Sequence, residues 1–108
     1  MGRYITSTLS YATTTVTTAV SVDASVNDRI MCTSGGITIT LPISSSLLVG
    51  DTVQVMDVGG NAGTSSITVA RNGANIQGVA EDLTIDINNS APVLVYSGAT
   101  YGWVISGS

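Results

Sequence analysis

The stretch Ile37-Thr38-Ile39-Thr40-Leu41-Pro42 decides the fold class. Its aliphatic and hydroxyl side chains alternate strictly. Successive side chains of a β-strand point to opposite faces, so the run reads as a half-buried strand with Ile37, Ile39 and Leu41 turned inward. Pro42 has no N–H for a ladder and closes it. The same period of two recurs in both directions along the chain. Val16, Thr18, Val20 and Val22 share one predicted face, opposite Thr15, Thr17, Ala19 and Ser21. Val53 and Val55 alternate with Thr52, Gln54 and Met56; Ile67 and Val69 flank Thr68; Leu83, Ile85 and Ile87 flank Thr84 and Asp86. The runs 93–96 and 103–105 are apolar throughout, which predicts strands buried on both sides.

Turn residues separate these runs. Gly35-Gly36, Gly59-Gly60-Asn61-Ala62-Gly63, Asn88-Asn89-Ser90 and Ser97-Gly98 mark reversals, and Asn72-Gly73 suits a tight primed turn between short strands. Only 44–49 has the character of a brief helical turn. The expected fold is all-β: a single β-sandwich or jelly-roll-like barrel of seven to nine short antiparallel strands. Residues 13–108 form the expected β domain. Residues 1–12 alternate more weakly and are rich in Ser, Thr and Tyr, which predicts an extended N-terminal arm or an edge strand lying on a neighbouring subunit.

Composition sets the demand for partners. Only 9% of the 108 residues are charged, against about 25% in an average soluble domain, while 44% are hydrophobic. No stretch approaches the roughly 20 apolar residues of a membrane helix, so no membrane partner is expected. A formal charge of −4, with three arginines and no lysine, excludes the basic patch that nucleic acid requires. The remaining way to hide so apolar a surface is contact with other protein chains. The single cysteine, Cys32, cannot form an intrachain disulfide and reads as a small core hydrophobe.

Catalytic chemistry finds little support. The chain has no histidine, so the commonest general base is missing. Glu81-Asp82 is the only adjacent pair of carboxylates, and neighbours along a strand diverge, so this pair reads as a solvated loop before Leu83. Asp57-Val58-Gly59-Gly60-Asn61-Ala62-Gly63-Thr64 lacks the lysine and the following helix of a phosphate loop. Asp57 and Asn61 could offer oxygens to calcium, but the other carboxylates lie far away in sequence, and a glycine-rich turn is preferred. No catalytic residue, metal or cofactor is therefore expected. Asp51, after Gly50, is expected to accept local backbone amides in a turn. Arg71 stands ready to pair with an aspartate of another chain. Trp103, with Tyr96 and Tyr101, reads as a plug at the end of the last strand in preference to a sugar-binding platform.

An ordered set of short motifs spans 37–105: the Leu41-Pro42 close, Val49-Gly50-Asp51-Thr52-Val53-Gln54-Val55, Asp57-Val58-Gly59-Gly60-Asn61-Ala62-Gly63, Arg71-Asn72-Gly73, Ile76-Gln77-Gly78 and Tyr101-Gly102-Trp103-Val104-Ile105. The set resembles the β-rich modules of tailed-phage virion proteins, and Gly2-Arg3-Tyr4-Ile5 is similar to the start of some cyanophage structural proteins. The resemblance implies a non-enzymatic virion component that assembles as a homotrimer. The short chain leaves no room for a fibre shaft, which favours a capsid decoration (cement) protein that binds the major capsid protein on the outer surface of the head. The alternative is a tail-fibre or baseplate module that binds a host glycan. The expected interface residues are Arg3, Tyr4, Ile5, Arg71, Tyr101 and Trp103.

Overall fold

A computed structural model describes residues 14–107, which form nine strands and, outside them, one 3-10 turn at Ser44–Ser46. The strands are β1 (Thr14–Thr18), β2 (Val22–Asp23), β3 (Asp28–Cys32), β4 (Thr38–Thr40), β5 (Thr52–Asp57), β6 (Ile67–Ala70), β7 (Leu83–Ile85), β8 (Val93–Tyr96) and β9 (Trp103–Ser106). They make a five-stranded sheet in the order β1-β3-β5-β8-β9 and a four-stranded sheet in the order β2-β4-β6-β7. The all-β expectation holds.

The expectation of antiparallel strands does not. Four of the seven ladders are parallel: β1 with β3, β3 with β5, β2 with β4, and β4 with β6. From β1 to β6, consecutive strands do not pair: each crosses to the other sheet, and the next strand returns beside the one before it. A parallel pair needs a crossover of a dozen or more residues, usually a helix. Here a strand of the opposite sheet takes the helix's place. The first six strands thus wind as three turns of a flattened coil, and β7, β8 and β9 close it with antiparallel pairings. Alternation reveals which face a residue occupies but carries no information about which neighbour its strand takes.

The inward faces of both sheets meet in one core. Ile30, Cys32, Val53, Val55, Leu94 and Trp103 come from the larger sheet, and Ile39, Ile67, Val69 and Ile85 from the smaller. Burial of a single Val, Ile or Leu side chain contributes about 1.5–3 kcal/mol. Ile37, Ile39 and Leu41 all point inward, as their alternation predicts.

The chain departs from the expected pattern at three places. The run through Val22 breaks because the Thr18 hydroxyl donates to the Val20 carbonyl at 2.8 Å and accepts the Val20 amide at 3.1 Å. That bend carries the chain between sheets and turns Val20 outward, 65% exposed. Ile87 lies beyond the end of β7 and is 69% exposed, because Asn88 and Asn89 are drawn across to the 57–63 loop. Val104 is exposed too, while Val93 and Val95 are half-buried, since the outer face of the larger sheet is open rather than covered. The primed turn is where the sequence puts it: Asn72 and Gly73 have φ of 49° and 99°, and the Ala74 amide donates to Arg71. It opens a longer connection from β6 to β7 instead of a two-residue hairpin.

This winding gathers the loops at two ends. One end collects the connections 41–51, 71–82 and 97–102, and the other collects 19–21, 33–37, 58–66 and 86–92.

Candidate functional site

The second of these ends is tied around Asp57, the last residue of β5. Strand alternation directs its carboxylate inward, and Asp57 is 1% exposed. One carboxylate oxygen accepts the amides of Ala62 at 2.9 Å and Asn89 at 3.0 Å, and the other accepts the Asn61 amide at 3.2 Å. The Asn89 side chain returns the contact by donating to the Asp57 carbonyl. Burial pushes the Asp57 carboxyl up, but the amides of Ala62, Asn89, Asn61 and Gly60 more than reverse this and hold it below its usual value. Around it, Asn61 donates to Thr33, Gly63 donates to Asn88, and Gly36 donates to Ser65. Beside Asp57 in the ladder, Cys32 is buried, and that burial with the Asp57 charge pushes its thiol up to about 11. Such a thiol is a core group and not a nucleophile.

The first end is differently built. Ile43, Leu48, Val49, Val79 and Tyr101 are all exposed there, with Val49 at 75%. Gly98 lies under Val49 and Gly78 lies against the Tyr101 ring, so parts of the three loops are in contact. Main-chain bonds hold them up: Gly50 donates to Tyr96, Ser44 donates to Asn72, and Gly78 donates to Tyr101. Asp51 accepts the Leu48 amide at 2.8 Å, the local turn bond expected of it. Gly102 has φ of +69°, and a side chain there would run into the Asn75 carbonyl, which accepts the Trp103 amide.

Of the expected interface residues, Arg3, Tyr4 and Ile5, with the arm at 1–12, lie outside the described residues. Tyr101 is 64% exposed and belongs to the apolar end. Arg71 is half-buried: its guanidinium donates to the Ala74 carbonyl at 3.0 Å and its backbone amide donates to Asp82, so it braces the 71–82 loop. Trp103 corrects its assignment as a contact residue. It is fully buried and meets Tyr96 edge-on, with ring centroids 5.6 Å apart, so it has no surface to give a partner. Its indole N–H is buried without a hydrogen-bond acceptor among the described residues.

Sequence reading missed Ile43, Leu48, Val49 and Val79. The available signal was Leu47-Leu48-Val49, three apolar residues in a row outside any alternating run. Only Leu47 of the three packs on the core. The acidic residues have structural tasks. Asp28, Asp51, Asp57 and Asp82, four of the seven Asp and Glu residues, accept backbone amides. One end is bonded to itself around Asp57, with Val20, Val58 and Ile87 exposed at its margins, and the other presents the larger exposed apolar group.

No protein-family model and no curated protein matches this chain.

Proposed function

We propose that this chain is a non-enzymatic virion structural protein: a homotrimeric capsid decoration protein that grips the outer surface of the major capsid protein and stabilises the head. In this reading the two sheets form a sandwich whose apolar end, with Ile43, Leu48, Val49, Val79 and Tyr101, faces the shell. That exposed apolar group, in a chain with only 9% charged residues, is the observation that carries the reading. Groups of this kind mark interaction surfaces, and a clamp across adjacent capsomers adds contacts that no single capsomer makes. About 1,600 Å² is an ordinary area for a specific complex. The order of motifs from Ile37 to Ile105, similar to that of tailed-phage virion modules, supports the virion setting.

The test is co-sedimentation of the protein with undecorated phage heads, with light scattering on the free protein. Binding to heads by a trimer is expected. Absence of head binding together with binding to host cell-wall glycans would select the tail-fibre alternative, which has exposed Tyr101 as its aromatic contact. A stable monomer with no affinity for heads would end the assembly reading.

A further inference from the structure

The side of the molecule between β7 and β9 carries a feature that the apolar end does not account for. The first half of the β9 edge is already paired: Trp103 donates to Asn75, Gln77 donates to Trp103, and the Ile105 amide donates to the Gln77 side chain at 3.1 Å. Beyond that cover lies an open groove of about 170 Å³ lined by Leu83, Ile85, Ile87, Pro92 and Ile105, with Asp86 at its rim. Its β7 wall pairs only with β6 among the described residues, so the other edge of β7 is unpaired there. Carboxylates bracket that edge, Glu81 and Asp82 before it and Asp86 after it. Edge charges of one sign repel a second copy of the same edge and admit a strand carrying the opposite sign.

The chain contains such a segment. Thirteen residues precede Thr14, and at about 3.3 Å per residue they reach about 43 Å when extended. They hold no carboxylate, and they carry Arg3 together with Tyr4, Ile5, Leu9 and Tyr11. Arg29 is engaged by the Gln54 side chain and Arg71 by the Ala74 carbonyl, which leaves Arg3 as the third arginine of the chain. We infer that the groove beside β7 receives residues 1–13 of a neighbouring copy, with Arg3 answering the carboxylates and the aliphatic side chains filling the cavity. Contact between one surface of a subunit and a different surface of the next is heterologous, and it closes into a ring when the rotation permits, as a trimer requires. This inference rests on the self-assembly part of the proposed function and names the surface involved.

The test mixes two full-length variants, Ile5→Cys and Ile87→Cys, under mild oxidation. Cys32 is buried and stays out of the exchange. Docking raises the effective concentration of the two thiols, so disulfide-linked pairs should exceed those of an Ile5→Cys plus Ala99→Cys control by roughly tenfold. Arg3→Glu should return the yield to the control level, and adding Asp86→Arg to the partner chain should restore it. A trimer without enriched cross-linking would overturn the groove assignment and leave self-assembly standing. Cross-linking confined to single chains of an Ile5→Cys/Ile87→Cys double variant would overturn the neighbouring copy as the donor. A monomer with no cross-link would overturn both.

Discussion

The two ends of this molecule are made from the same kinds of loops and solve opposite problems. At one, a buried carboxylate collects the amides of Asn61, Ala62 and Asn89, and asparagine side chains bind the remaining loops together. At the other, backbone bonds hold up loops whose tips are Leu48, Val49, Val79 and Tyr101, exposed to water. A chain with few charges has few ways to organise loops. It places one aspartate where it orders the polar end and leaves the larger group of apolar side chains exposed at the other. Order and the proposed adhesion should therefore be separable by mutation, and four experiments can break or sharpen that separation.

The largest effect belongs to Asp57. Asp57→Ala strands three amides, some of which water can reach, and should lower stability by about 2–4 kcal/mol in urea unfolding. Head binding by the folded fraction should stay unchanged. If stability held and binding fell, the assignment of roles to the two ends would be wrong. Acid should act through the same group. The Asp57 carboxyl is held below its usual value in the fold, so its contribution is complete above the unfolded value of about 3.9. That contribution is lost as pH falls through the still lower folded value. Thermal midpoints measured from pH 7 down to pH 2 should show this loss in the native chain and a shallower one in Asp57→Asn.

The sequence announces the sheets more clearly than the way they are wired. Ile37, Ile39, Leu41, Val53, Val55, Ile67 and Val69 are all buried as their alternation requires, because a period of two is a local property. Parallel pairing of β1, β3 and β5 depends on consecutive strands crossing between sheets, which no residue encodes by itself. The Thr18 bend and the pull of Asp57 on Asn89 depend on side-chain bonds, one local and one spanning 32 residues, and these turned Val20 and Ile87 outward against expectation. The candidate surface was half legible. Tyr101 was named and is exposed, whereas Trp103 was named alongside it and is core, and both sit in one short aromatic segment. Arg71 was expected to reach outward, but the Asn72-Gly73 turn brings its guanidinium back onto Ala74.

Trp103 supports the apolar end from below, since its amide and carbonyl bond Asn75 and Gln77 while its ring fills the core. Trp103→Phe removes ring volume and also removes a buried N–H that lacks an acceptor. An unpaired buried donor costs about 1–3 kcal/mol, which offsets much of the lost packing. The net change in unfolding free energy should be about 1 kcal/mol. A loss well above 2 kcal/mol would mean that a bound water satisfies the indole, and the N–H should then show slow hydrogen exchange.

The smallest effect on stability should come with the clearest effect on assembly. Leu48 and Val49 are exposed at 73% and 75%, and Val49 only brushes the surface near Gly98. Leu48→Ser and Val49→Ser therefore remove little that folding buries, and each should change unfolding free energy by no more than about 0.5 kcal/mol. In a complex that covers them, the same side chains leave water, and each loss should weaken head binding by about 1–2 kcal/mol, roughly 5- to 30-fold. A matched pair at the other end, Val20→Ser and Val58→Ser, is also exposed and should leave head binding unchanged. Equal losses from both pairs would mean that general hydrophobicity, and not one end of the molecule, drives attachment. Loss from the 48–49 pair alone would assign attachment to the loops that Asp57 does not tie down.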